Sequence, residues 1–165
     1  MKMRHPLRQL AAALGLAIIA ATAVAQEAVE PPSKGQTIYV PVYSEVRHGN
    51  LKPGGRPDSE LMSVLVSIRN TDTREPIRVT TAPYYDTGGK LIRNYLSAPQ
   101  VIPPMGTLEL FVEHRENQGG SGANFLIRWE AEKPVSPPLA EALHTRFQAG
   151  KTLGFISRGK AISSP

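Results

Sequence analysis

Glu60-Leu61-Met62-Ser63-Val64-Leu65-Val66-Ser67-Ile68-Arg69-Asn70 is the stretch on which the fold turns. Met62, Val64, Val66 and Ile68 alternate with Leu61, Ser63, Leu65, Ser67 and Arg69. A period of two puts the first set on one face of an extended strand. Leu65 on the other face implies partial cover there too. The strand ends in Asn70-Thr71-Asp72-Thr73, whose short side chains hydrogen-bond the backbone of turns.

The same alternation recurs on both sides. Upstream, Ile38, Val40 and Val42 share a face of a strand over 37–43, with Tyr39, Pro41 and Tyr43 opposite. Pro41 has no N–H to give a ladder, so this strand is expected at a sheet edge or a bulge. Residues 44–58, with Gly49, Pro53, Gly54, Gly55 and Pro57, read as a long polar loop. Downstream, strands are expected over 77–85, 90–96 and 107–114, the first two joined at Asp86-Thr87-Gly88-Gly89. Another is expected over 123–131, where Phe125, Ile127 and Trp129 share the core face. Lys151 to Ser157 supplies the last. One helix is expected before it: Ser136 caps, Pro137 and Pro138 open the first turn, and Leu139, Leu143 and Phe147 form a stripe ending at Gly150. The expected class is all-β, an Ig-like antiparallel sandwich of about seven strands with that one short helix. A small closed barrel is the alternative.

The chain begins differently. Lys2, Arg4 and Arg8 precede an apolar run, Leu10 to Val24, and Ala23-Val24-Ala25 with Gln26 follows. Basic head, apolar centre and small-x-small exit make a secretory signal. Residues 1–25 are therefore expected to be cleaved near Ala25-Gln26, and the product to be periplasmic or secreted. The run falls short of the roughly 20 residues that span a bilayer. Residues 26–35 are expected as a flexible leader, and 36–165 as one domain.

The sequence has 19 basic and 14 acidic residues, net +5. Without residues 1–25 it keeps 16 basic residues against the same 14 acids, net +2. Arg69, Arg74, Arg78, Arg93, Arg115 and Arg128 are scattered among acids, which argues against nucleic acid or a polybasic membrane patch. There is no cysteine, hence no disulfide, thiolate metal site, thiol nucleophile or lipid-modified cysteine.

Taken together, several phrases resemble an exported bacterial family, domain of unknown function 3124. They are Gly35-Gln36-Thr37-Ile38-Tyr39-Val40-Pro41-Val42-Tyr43-Ser44, Ile68-Arg69-Asn70-Thr71-Asp72, Tyr84-Tyr85-Asp86, Gly89-Lys90-Leu91, Gly119-Gly120-Ser121-Gly122-Ala123-Asn124-Phe125 with Trp129, and Phe155-Ile156-Ser157-Arg158-Gly159. The resemblance covers roughly residues 35–162. It implies an exported bacterial protein and carries over no catalytic residue.

The candidate chemistry is sparse. Gly119-Gly120-Ser121-Gly122-Ala123 is one residue from a G-x-S-x-G nucleophile elbow, but a strand follows where the elbow needs a helix. The amides of Gly119, Gly120, Ser121 and Gly122 are a candidate anion nest. His48, His114 and His144 have no local metal-ligand spacing, and a metal site would need them to converge in space. The acid pairs Glu109/Glu113 and Glu130/Glu132 each sit along one strand, where a hydrolase needs two acids across a cleft. No cofactor is expected. Tyr39, Pro41 and Tyr43 are the candidate partner surface, reached by side-chain contact or strand addition. The expected function is a non-catalytic envelope module that binds a protein partner or a small ligand. The alternative is a metal protein built on the three histidines.

Overall fold

The computed structural model describes residues 30–163; the expected signal segment, 1–25, lies outside them. The described chain is all-β, in antiparallel sheets. Thirteen strands follow one another: β1 Ser33–Val42, β2 Glu45–His48, β3 Asp58–Leu61, β4 Ser63–Arg69, β5 Ile77–Thr81, β6 Pro83–Tyr85, β7 Leu91–Asn94, β8 Gln100–Ile102, β9 Thr107–Val112, β10 Ala123–Val135, β11 Leu139–Gln148, β12 Lys151–Arg158 and β13 Lys160–Ser163. A single 3-10 turn spans Gly120–Gly122.

Seven strands form the larger sheet, ordered β13-β1-β10-β5-β8, with β6 on β10 and β7 on β6. The second sheet is ordered β12-β11-β4-β9. The hairpin β2-β3 stands as a small third sheet: β2 lies inside the segment expected as a loop, and β3 takes Glu60 and Leu61 from the start of the strand expected over 60–70. One apolar core draws on both larger sheets. Val40, Phe125 and Ile127 come from the first; Val64, Val66, Ile68 and Val112 come from the second. The alternation of the opening stretch holds for its core face, where Met62, Val64, Val66 and Ile68 are fully buried; on the other face Ser67 is buried as well.

Three expectations need correcting. The helix over 137–147 is a strand. Its residues pair with β4 (Leu143 opposite Leu65) and with β12 (Leu143 opposite Ile156). A spacing of four keeps residues on one face of a strand as well as of a helix. The period of two that separates the cases is carried by Ala140, Ala142 and His144, all buried but weakly apolar by type. Pro137 opens no helix; its carbonyl accepts from Thr71 Oγ1 at 2.9 Å. Gly150, at φ 76°, serves the two-residue turn between the paired Gln148 and Lys151.

The first strand is internal rather than an edge. β10 pairs along one side and β13 along the other, from Thr37 to Tyr39. Pro41 is tolerated because pairing with β13 has stopped before it; its carbonyl accepts from Ser157 Oγ at 2.6 Å. The strand also starts earlier than expected, at Ser33, inside the segment read as leader.

β12 and β13 lie in different sheets, with Gly159 between them. A β-carbon on Gly159 would stand 2.7 Å from Ile38 Cγ2 and 3.2 Å from Ala140 Cβ. The crossing therefore needs glycine for close approach, not for unusual backbone angles.

Candidate functional site

The four-stranded sheet buries one face and exposes the other. On the exposed face, register aligns Phe111 (β9), Leu65 (β4), Leu143 (β11) and Ile156 (β12) as direct neighbours. These residues are far apart in sequence, yet they make one apolar row across the sheet. Phe111 is 54% exposed, Ile156 58% and Leu143 40%. Phe147 extends the apolar area towards the β11–β12 turn at 77% exposure. A polar row borders it: Glu109 (β9), a buried Ser67 (β4), Glu141 (β11) and Arg158 (β12) in the same order, with Arg158 Nε 3.3 Å from Glu141. An apolar core with a polar rim is how interaction patches are built.

The row ends at an open edge. β12 pairs with β11 and has no second strand partner among the described residues. Such an edge presents unpaired N–H and C=O groups. Beside it lies a cleft of about 470 Å³, lined by Tyr43, Glu45, Arg47, Ser121, Phe155 and Ile156. Tyr43 is 39% exposed and meets the rings of Phe155 and His144 edge-on, with centroids at 5.7 and 5.6 Å. Of the three residues expected at a partner surface, Tyr43 lines this cleft. Tyr39 is half-buried in a strand whose backbone is paired on both sides there, and the Pro41 carbonyl accepts from Ser157.

The histidines do not meet. His48 closes the β2–β3 hairpin opposite Asp58. His114 follows β9 on the surface, its Nε2 2.9 Å from Arg146 Nη1. His144 is fully buried, stacked on Phe155 at 4.3 Å. Among the described residues, no three His, Cys, Asp or Glu side chains group to hold a metal. His144 has a structural role instead. Its Nε2 accepts the Tyr43 N–H at 3.0 Å, so the neutral ring carries its proton on Nδ1. Burial holds its pKa below the ordinary histidine value.

The glycine loop is also structural. Gly119 N is bonded by Glu116, and Gly122 N by Thr87 Oγ1 at 2.9 Å, so two of the four amides of the expected anion nest are occupied. Ser44 Oγ and Thr87 Oγ1 donate to the carbonyls of Gly120 and Gly119. Buried Tyr84 donates its hydroxyl to Glu116 at 2.8 Å, and burial drives the phenol pKa far above its ordinary value. A β-carbon on Gly119 would overlap that hydroxyl, which is why the loop needs glycine there. Ser121 sits in the 3-10 turn and a strand follows it, so no elbow forms.

The larger sheet's exposed face differs. Sequence reading missed a groove of about 680 Å³ there, over β1, β10 and β5. The signal was present but not local. Arg78, Arg128, Glu130 and Thr37 lie on three strands that only the register joins. Its wall is a bulge in β10. Gly35 faces Glu130 while Ser33 faces Val135, so residues 131–134 bow outward. The opposite wall is the turn after β4. Buried Asn70 organises it, donating to the carbonyls of Glu75, Ile102 and Pro103. Asp72 accepts from the amides of Arg74 and Glu75, which lower its pKa. This explains the Asn70-Thr71-Asp72 phrase as turn chemistry that sets the Glu75 wall.

The described chain is thus an all-β protein with two contrasting exposed faces. It belongs to the family described as protein of unknown function (DUF3124), whose profile matches residues 35–162. No curated protein matches it. Among solved structures it is similar to Thermotoga maritima 1070, at 13% identity and a TM-score of 0.44, over 79% of this chain and 97% of that one. A likeness at that level carries no functional inference.

Proposed function

We propose that this protein is an exported, non-catalytic module that binds an extended strand of a protein partner along β12. In this reading residues 1–25 direct export and are removed near Ala25-Gln26, and the two larger sheets stack as an Ig-like antiparallel sandwich. The shared core supports the stacking. The observation that carries the function is the apolar row Phe111–Leu65–Leu143–Ile156 running to the unpaired β12 edge. A strand added there satisfies backbone groups that are otherwise left to water. One of its side chains enters the Tyr43 cleft, and its apolar face continues the row. Strand addition was expected at β1, where β13 pairs instead; of the sheet edges, β12 is the one with the Tyr43 cleft beside it.

The test is crosslinking from the β12 edge in the native envelope, with wild type beside Ile156→Lys and Leu143→Lys. Both side chains are exposed, so folding should change by less than about 1 kcal/mol. A crosslinked product that falls at least tenfold in both variants supports the reading. Equal yield from wild type and variants, with circular dichroism unchanged, overturns it. Intact mass of the protein made by its host tests the export step; Met1 retained would sink that part.

A further inference from the structure

We infer that the groove on the exposed face of the larger sheet binds a small organic monocarboxylate with a short apolar body. This goes beyond the proposed partner surface and uses different strands. The charges of the groove are mostly self-compensated. Lys133 Nζ lies 2.8 Å from Glu75 Oε1, bridging the β10 bulge to the opposite wall. Arg78 donates Nε–H to Glu130 at 2.8 Å across the floor. Those two pairs leave Lys34, Arg128 and Glu132, a net charge of +1.

Arg128 is the group that makes this a site. It is exposed on the floor, directly opposite Thr37 of β1, and its backbone carbonyl accepts from Thr80 Oγ1 at 3.3 Å. Its guanidinium makes no ion pair or side-chain hydrogen bond among the described residues. A guanidinium fork with Thr37 as its cross-strand neighbour matches one carboxylate, taken bidentately. The ion pairs on either side occupy Glu130 and Glu75, and Glu132 is offset by Lys34 in the charge balance. Apolar surface adjoins: Pro76 and Val101, the latter 66% exposed, lie on the β5–β8 side. Val101 stands in register with Arg78, next to the Arg78–Glu130 row, so in this proposal the carbon chain of a carboxylate on Arg128 runs across β5 towards Val101. The groove's volume lies within the roughly 300–1,000 Å³ of small-ligand sites. Inorganic anions would use Arg128 alone and leave the apolar side unfilled.

The carboxylate can belong to a free organic acid or to the end of a peptide chain, and both are probed. Backbone amide shifts of the isotope-labelled protein are followed on titration with hexanoate, acetyl-Ala-Val, hexanamide and inorganic phosphate. Saturable shifts at Thr37, Thr80, Val101 and Arg128 with hexanoate or acetyl-Ala-Val, and not with hexanamide, are expected; the tighter probe names the source. Arg128→Gln should weaken binding at least tenfold, and Val101→Asp should weaken hexanoate binding without unfolding an exposed position. Phosphate binding as well as hexanoate would reduce the groove to an anion patch and overturn the inference. So would the absence of saturable shifts, or equal binding by Arg128→Gln.

Discussion

The two larger sheets follow the same alternation on their buried faces and part company on their exposed ones. The four-stranded sheet shows Phe111, Leu65, Leu143 and Ile156 in one row. The seven-stranded sheet shows Thr37, Arg128, Glu130 and Arg78 in the corresponding outward positions. Burial explains why the inward sets look alike, since both supply one core. It places no such demand on the outward sets. Their difference is what the two proposals rest on: an apolar partner for one face, a carboxylate ligand for the other.

The equivalence of the buried faces can be broken first, with the largest effect. Phe125→Ala in β10 and Ile68→Ala in β4 each remove a fully buried side chain from the same core. Losses of about 3–5 and 2–5 kcal/mol are expected in urea unfolding, each as a single transition. Two transitions in either variant would mean that the sheets unfold separately, and the shared-core comparison would fail.

A second, smaller effect arises where the sheets meet at Tyr43 and His144. The folded state holds His144 neutral, with its pKa lowered mainly by burial. In the unfolded chain it titrates near its ordinary value, so below about pH 6.5 the unfolded state binds a proton that the native state refuses. Stability contributed by the neutral ring is complete above that value and is lost as pH falls. The slope is at most about 1.4 kcal/mol per pH unit until the folded pKa is reached. Unfolding free energies of wild type and His144→Phe, measured from pH 8 downward, should diverge in slope below about pH 6.5. Parallel curves would remove the histidine from this role.

The smallest effect sharpens the contrast between exposed faces. Arg78 and Glu130 pair on the charged face, and both are about half exposed. A double-mutant cycle to alanine should give a coupling of about 0–1 kcal/mol, shrinking with salt. Coupling well above that would mean that the pair stabilises the fold, and the charged face could no longer be assigned to ligand binding alone.

Individual residues show how far the sequence could be read. Met62 through Ile68 announced their strand because alternation is a local property, fixed by the two-residue repeat of an extended chain. Leu139, Leu143 and Phe147 misled because a spacing of four fits both periods, and the deciding positions held alanine and histidine. Pro41 pointed to an edge or a bulge, and nothing local could show that β13, more than a hundred residues away, pairs with Thr37 to Tyr39 and stops before the proline. Tyr43 was legible as a surface aromatic. Its cleft was not, because Phe155 and Ser121 reach it from other elements.

By itself, then, the sequence determined the strand class, the faces destined for burial, the turn chemistry at Asn70 and Gly89, and the absence of cysteine chemistry. Only the tertiary structure decided which strands end their sheets, that four apolar side chains from four strands fall in one row, and that Arg128 stands in a groove without an ion-pair partner among the described residues. The physical reason is reach. Alternation and turn preference act within a few residues, whereas register and strand order are set by packing between segments that the chain order does not place together.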